Sequence, residues 1–213
     1  MTELDVTVTD YLITLISIGF VWNLAVSHEK KSATTPIWIL LFLSIGLSSL
    51  LGGTLHGFCF DETSLCNKIL WTATLLSIGI TTTACWILGG CYLLSSHQLS
   101  KWIVFVIGIY LIYSIIVIFF NNNFSIAIYN YLPAMIFLLI ANIITFLKNK
   151  TSFCLWIITG IIISFIAAYV QQSRFSLHPI YFNYNSTYHV IQIIALFLIF
   201  KGVKRQFNLT GNK

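Results

Sequence analysis

The sequence predicts an all-α fold, a bundle of seven transmembrane helices with its amino terminus outside the cytoplasm and its carboxyl terminus within it. Three observations carry that prediction. Of the 213 residues, 58% are apolar and 8% charged, with a mean hydropathy of +0.90, a balance that no soluble domain with a wet surface can hold. The 11 Lys and Arg and the 6 Asp and Glu gather in short segments between apolar runs of about 17 to 25 residues, the length that crosses a bilayer as helix. Finally, the basic residues fall almost entirely at one set of run ends.

In chain order the spans are expected over Tyr11 to Val26, Pro36 to His56, Asn67 to Leu94, Trp102 to Phe120, Ile126 to Leu147, Phe153 to Val170, and Thr187 to Val203. Each run is apolar on nearly every residue, which excludes the alternating polarity of a membrane barrel and leaves the helix as the structure that satisfies its own backbone in lipid. The fifth run carries Asn130, Pro133 and Asn142, which weaken or bend a helix unless neighbours supply hydrogen bonds; Asn121, Asn122 and Asn123 before it read as a turn. The connections are short, with no Pro- or Ser-rich linker and no internal repeat, so residues 1–213 form one membrane domain.

Orientation follows from the retention of positive charge in short cytoplasmic loops. Nine of the 11 basic residues (Lys30, Lys31, Lys101, Lys148, Lys150, Lys201, Lys204, Arg205 and Lys213) share one side, and Lys68 and Arg174 the other. The acidic start, with Glu3, Asp5 and Asp10, is thereby placed outside, and it also argues against a cleaved signal peptide, which wants a basic leading region. Trp38, Trp102 and Trp156 at inner span ends and Trp71 at an outer one agree with an interfacial aromatic belt. The net charge of +5 reads as topology and contact with anionic head groups, not as nucleic-acid binding. Cys59 and Cys66 share the loop between spans two and three, where they form either a disulfide or two free thiols.

Histidine is the informative polar residue, because a polar group at membrane depth is costly and faces the bundle interior or a wet cavity. His28 and His97 fall in cytoplasmic loops and read as solvated. His56, His178 and His189 all map to the outer side, from three unlinked stretches of chain. In span two, Ser44, Ser48, Gly52 and His56 recur every fourth residue, a stripe that turns His56 inward and admits a close neighbour. In span seven, Asn185, His189 and Gln192 form a polar face beside Tyr188, and span three adds Asn67, Trp71, Thr74, Ser77 and Thr81. These faces outline a polar pocket opening outward, expected to take a membrane lipid or another small amphiphile. Asp61 and Glu62 in the adjoining loop are candidates for a ligand or general base, set against an ordinary role as solvated carboxylates.

The segment Phe182-Asn183-Tyr184-Asn185-Ser186-Thr187-Tyr188-His189-Val190-Ile191-Gln192, with Leu55-His56-Gly57 upstream, resembles an uncharacterised family of bacterial seven-span proteins over most of the chain. More distantly the chain is similar to the CREST superfamily of seven-span metal-dependent hydrolases, which includes the alkaline ceramidases and the adiponectin-receptor-like proteins. That superfamily's pattern is a Ser four residues before a His in span two, an Asp opening span three, and His-x-x-x-His in span seven. Here His56 and His189 match, whereas Gly52, Asn67 and Asn185 stand where the Ser, the Asp and the first span-seven His are expected. What the resemblance implies is a Zn2+ site held by His56, His189 and, as stand-in, His178, with Asn67 and Asp61 in catalytic positions. A catalytic zinc takes three protein ligands and one water.

Other membrane functions lack their parts. No Asp, Glu, Lys or Arg falls in the middle of an expected span, against a proton relay or voltage sensor, and Lys201 lies too far along span seven for a retinal Schiff base. No Gly-x-Ser-x-Gly, paired Asp or His-Glu-x-x-His motif is present. Gly52-Gly53 and Gly89-Gly90 read as close helix packing. Two functions from different classes remain: a CREST-like hydrolase of a lipid amide or ester, and a non-catalytic sensor, carrier or scaffold. Short loops and an Ile-rich composition fit a bacterial inner membrane.

Overall fold

In a computed structural model, which describes residues 3–26, 32–178 and 181–211, the chain folds as seven α-helices: α1 (Leu4–Val26), α2 (Thr35–Phe58), α3 (Leu65–Leu93), α4 (Ser96–Phe119), α5 (Phe124–Asn149), α6 (Ser152–Gln172) and α7 (Tyr184–Gly211). Each is long and apolar enough to cross a membrane, the makeup of a polytopic membrane protein. His28, Lys30, Lys31 and Lys213 lie outside the described residues. Most expected spans fall inside the observed helices. The third and fourth overrun theirs by one residue each, at Leu94 and Phe120, and α1 begins at Leu4, well before the expected Tyr11, so that Asp5 and Asp10 lie within a helix.

Local signals set several boundaries. Ser64 caps α3, its side chain accepting from Asn67 N at 3.1 Å, and Ser95 opens α4 through N and Oγ bonds to Gln98 Oε1, each satisfying donors that a helix start leaves open. His97 sits exposed in that first turn of α4. The fifth helix runs through Pro133 without interruption, and its buried Asn142 turns Nδ2 back onto Leu138 O at 2.9 Å.

Successive contacts run α1 to α2, α2 to α3, α3 to α5, α5 to α6, α6 to α7 and α7 back to α1, which closes a ring of six helices. Helix α4 stands outside it, packed on α3; of its residues only Val106, Tyr113 and Val117 are buried. Two seams of the ring depend on absent side chains. On the α1–α2 seam a Cβ at Gly53 would meet Asp10 Cβ at 2.9 Å and one at Gly57 would meet Thr7 Cγ2 at 2.9 Å. On the α6–α7 seam a Cβ at Gly160 would meet Ile199 Cγ1 at 2.5 Å and Ala195 O at 2.8 Å, and one at Gly202 would meet Phe153 O at 2.9 Å. Small residues let helices approach closely where lipid supplies no hydrophobic drive between them.

The ring differs along its length. Toward the end holding the starts of α2, α4 and α6 it is filled: Phe20 stacks on Phe200 with centroids 4.1 Å apart and meets Phe42 edge-on at 5.2 Å, over a buried Trp38. Polar ties close that end, with Tyr92 Oη donating to Gln206 Oε1 at 3.0 Å and Lys201 Nζ lying 3.7 Å from the centre of the Trp156 ring, a cation–π contact. Toward the opposite end, which holds the start of α1, the ring is open inside. There Cys59 and Cys66 are joined as a disulfide, so that of the two readings of that loop the bridged one holds, while Cys85, Cys91 and Cys154 are free.

Two outcomes are expected. Gly160→Val, driving a branched side chain into α7, lowers stability by about 1–3 kcal/mol or more, read as an earlier thermal unfolding in detergent; Gly108→Ala on α4, where a Cβ has nothing within 4 Å, is neutral or raises stability by up to about 1 kcal/mol. Maleimide mass-tagging of denatured protein without reductant labels three thiols, and after reduction five.

Candidate functional site

The open end of the ring encloses a cavity of about 530 Å³, lined from every ring helix and from none of α4. Its polar wall is built mainly by three faces. Helix α1 contributes Asp10, flanked by Val6 and Ile13; Asp10 belongs to a stripe with Thr7, Thr14 and Ser17, spaced i, i+3, i+7 and i+10 and therefore on one side, whose other members are buried in the seam with α2. Helix α2 contributes Ser48, Ser49, Gly52 and His56, and α7 contributes Asn185, Tyr188, His189 and Gln192. The rest is mostly apolar and aromatic, with Trp71, Phe124 and Tyr131 among it.

Asp10 is the feature that sequence reasoning missed. It is 6% exposed and, as the seventh residue of α1, sits roughly 9 Å along the helix from its start. His189 Nε2 stands 3.5 Å from its Oδ1, Ser49 faces it from α2, and Gly52 leaves it room, since a Cβ there would stand 3.4 Å from Oδ2. Among the described residues no lysine or arginine pairs with it.

The other imidazole nitrogen of His189 faces Thr9. Nδ1 lies 2.9 Å from Thr9 Oγ1, and that hydroxyl already reaches the Asp5 and Val6 carbonyls at 2.9 and 3.0 Å. A hydroxyl has one proton to give. The contact fits either tautomer: Thr9 accepts from Nδ1–H, or donates to Nδ1 while Nε2–H faces the Asp10 carboxyl across 3.5 Å. Thr9 is buried and does not line the cavity, so the Thr9–His189–Asp10 series does not present a nucleophile to it.

Around the mouth the first turn of α1 is stitched to both neighbours. Glu3 Oε2 pairs with His56 Nδ1 at 2.7 Å, and Glu3 N donates to His56 O at 3.3 Å. Asp5 Oδ2 accepts from Ser186 Oγ and, at 2.9 Å, from Asn183 N. Gln171 Nε2 donates to Asn185 Oδ1 at 3.0 Å, tying α6 to α7, and Gln192 Nε2 donates to Ser164 Oγ at 3.2 Å. Just past the end of α6, Arg174 has a φ of 55°, which accompanies a bond from Phe175 N back to Val170 O at 3.2 Å, the pattern of a left-handed helix cap. Glycine is the usual residue there; here an exposed arginine stands at the cavity mouth.

Of the residues expected to form the pocket, Trp71, Asn185, Tyr188, Gln192, His56 and His189 do line the cavity. Three others do not. Asn67 holds the disulfide loop, its Nδ2 donating to Cys59 O at 2.7 Å. Asp61 caps the same loop through Thr63 Oγ1 at 2.7 Å and Thr63 N at 2.9 Å, bonds that hold its fully exposed carboxyl below the usual range. His178 lies in the α6–α7 connection, bridged backbone to backbone with Phe182, its Nδ1 accepting from Tyr181 N at 3.1 Å.

Of the three imidazoles in the zinc site that the resemblance implies, His56 lies near the rim with Nδ1 on Glu3 and His189 deeper by roughly one helical turn with Nδ1 on Thr9, contacts that leave each Nε2 free of them; His178 does not line the cavity. Among the described residues no group of three or more His, Cys, Asp or Glu side chains is placed to hold a metal ion.

The knot at Asp5 yields a prediction. Asp5→Ala leaves Ser186 Oγ and Asn183 N without their acceptor and costs about 1–3 kcal/mol; amide exchange should quicken first in the opening turns of α1 and α7, and unchanged exchange there would show that the knot does not hold the two helices together.

No curated protein and no solved structure matches the chain. The profile described as "Family of unknown function (DUF6962)" matches residues 6–207, and this protein belongs to that family.

Proposed function

We propose that this is a membrane-embedded binding protein, a sensor or carrier, that takes a small amphiphile into the cavity between its ring helices. The observation that carries this reading is the combination of an enclosed space of about 530 Å³ with a buried carboxylate on its wall. That volume lies in the range of small-molecule sites, and an ionisable residue at membrane depth is costly enough to mark function by default. The apolar and aromatic lining suits the body of an amphiphile, and the Asp10, His189 and Asn185 wall suits its head.

In the same reading the cavity mouth faces away from the cytoplasm. Lys101, Lys148, Lys150, Lys201, Lys204 and Arg205 cluster at the filled end, against Lys68 and Arg174 at the open one, and short cytoplasmic loops retain positive charge. Lipids of the outer leaflet and solutes outside the cell are then the candidate ligands.

Hydrolysis on the CREST pattern is the competing reading, supported by the presence of His56 and His189 in the cavity lining, and it requires a metal, for which the described residues bring no group of three donors together. One experiment separates them. Purified protein is analysed by native mass spectrometry and for bound metal, beside Ser48→Phe, which fills the cavity from α2. A retained small molecule in the wild type that the variant lacks, without stoichiometric metal, is the expected result. About one zinc per chain, lost in His189→Ala, would replace the binding reading with the hydrolase. Equal ligand content in wild type and Ser48→Phe would remove the cavity as the binding place.

A further inference from the structure

Resting on the cavity as a ligand site, we infer that the head group it selects is a protonated amine, seated between Asp10 and His189. The charge inventory of the wall points that way. The carboxylate, imidazole and guanidinium groups lining the cavity are those of Asp10, His56, His189 and Arg174. His56 pairs with Glu3 at 2.7 Å and also acts electrostatically on Asp10. Arg174 is exposed to solvent beyond the end of α6, where its field is screened. Asp10 alone is deeply buried without a lysine or arginine, and a buried charge is stable only when paired and hydrogen-bonded.

Hydrogen-bonding capacity sharpens the match. The Asp10 carboxyl, buried on the cavity wall, offers acceptor oxygens, with His189 Nε2 3.5 Å from Oδ1. Acceptors in a buried setting call for a donor-rich cation, and an ammonium carries up to three N–H donors and no acceptor. A carboxylate or phosphate ligand would instead set its own acceptors against those of Asp10. Ser49 is the one hydroxyl facing Asp10 from α2 and does not supply a charge.

The remaining walls favour the same class. Trp71, Phe124, Tyr131, Tyr184 and Tyr188 line the space, and aromatic faces attract desolvated cations while accepting hydrocarbon. The ligand is thus an amine with an apolar or aromatic body, small enough for about 530 Å³.

The test uses three probes that share one body and differ in head group: phenylbutylamine, phenylbutanol and phenylbutyrate. Binding to the full-length protein in detergent micelles is measured by calorimetry and thermal shift. The amine should bind at least about tenfold tighter than the other two, and Asp10→Asn should abolish that preference, as removal of one partner from a buried charge pair does, while leaving phenylbutanol binding in place. Should Asp10→Asn not yield folded protein, the order of the three probes on wild type decides by itself. Equal or better binding of the alcohol would overturn the amine inference and leave the cavity reading standing. Better binding of phenylbutyrate, lost in Arg174→Gln, would overturn it in favour of an anion held at the mouth. Absence of binding by all three, with Ser48→Phe indistinguishable from wild type, would remove the cavity reading as well.

Discussion

The structure depends on hiding one carboxylate. Asp10 enters lipid depth on the first helix, and lipid offers neither water nor counter-charge, so the chain must supply an enclosure. It does so from two directions: the glycine seam of α2 brings backbone and Ser49 against one side of α1, and His189 of α7 comes against the other. Once both are in place, α1 is fixed in rotation as well as in position, because its polar stripe has a single inward direction. The ring closes around that constraint, and the cavity is what remains inside it.

The two halves of the ring answer different demands. The filled half packs Phe20, Phe42, Phe200 and Trp38 into the same space that the open half leaves to Asp10 and its neighbours. Aromatic stacking there holds α1, α2 and α7 at a spacing that the open half then inherits. Knots at the rim, Glu3 with His56 and Asp5 with Ser186, keep α1 from drifting inward to fill the gap. Helix α4, outside the ring, contributes to none of this, and its surface is correspondingly uniform in hydrophobicity.

Much of the architecture was legible in the sequence because length and apolar content alone determine what can cross a bilayer. Helices α2 to α7 extend their expected spans by a few residues at most ends, and the α2 stripe ending in His56 does face the cavity. The start of α1 was misread for a physical reason. Acidic residues near a terminus ordinarily signal water, and the stabilising partner of Asp10 lies 179 residues further along, where no local pattern announces it. The signal that was present is the i, i+3, i+7, i+10 stripe from Thr7 to Ser17, which reads as an inward face only when the helix is extended back to Leu4. Asn67, Asp61 and His178 failed for the converse reason: they sit near the correct end in sequence, but local turns and the disulfide loop satisfy them before they can reach the interior.

The hydrogen bond from α1 to α7 spans 180 positions, joining two helices made far apart in the order of synthesis. Helices enter a membrane in order of synthesis, so α1 and α2 must wait as a pair, with the Asp10 side facing α2 half covered and the other half unprotected, through the arrival of four more helices. A chain arrested before α7 leaves the cavity unclosed and Asp10 without His189 beside it. The completed pocket is therefore also a mark of finished assembly, by which a cell's quality-control machinery could tell a mature molecule from a partial one.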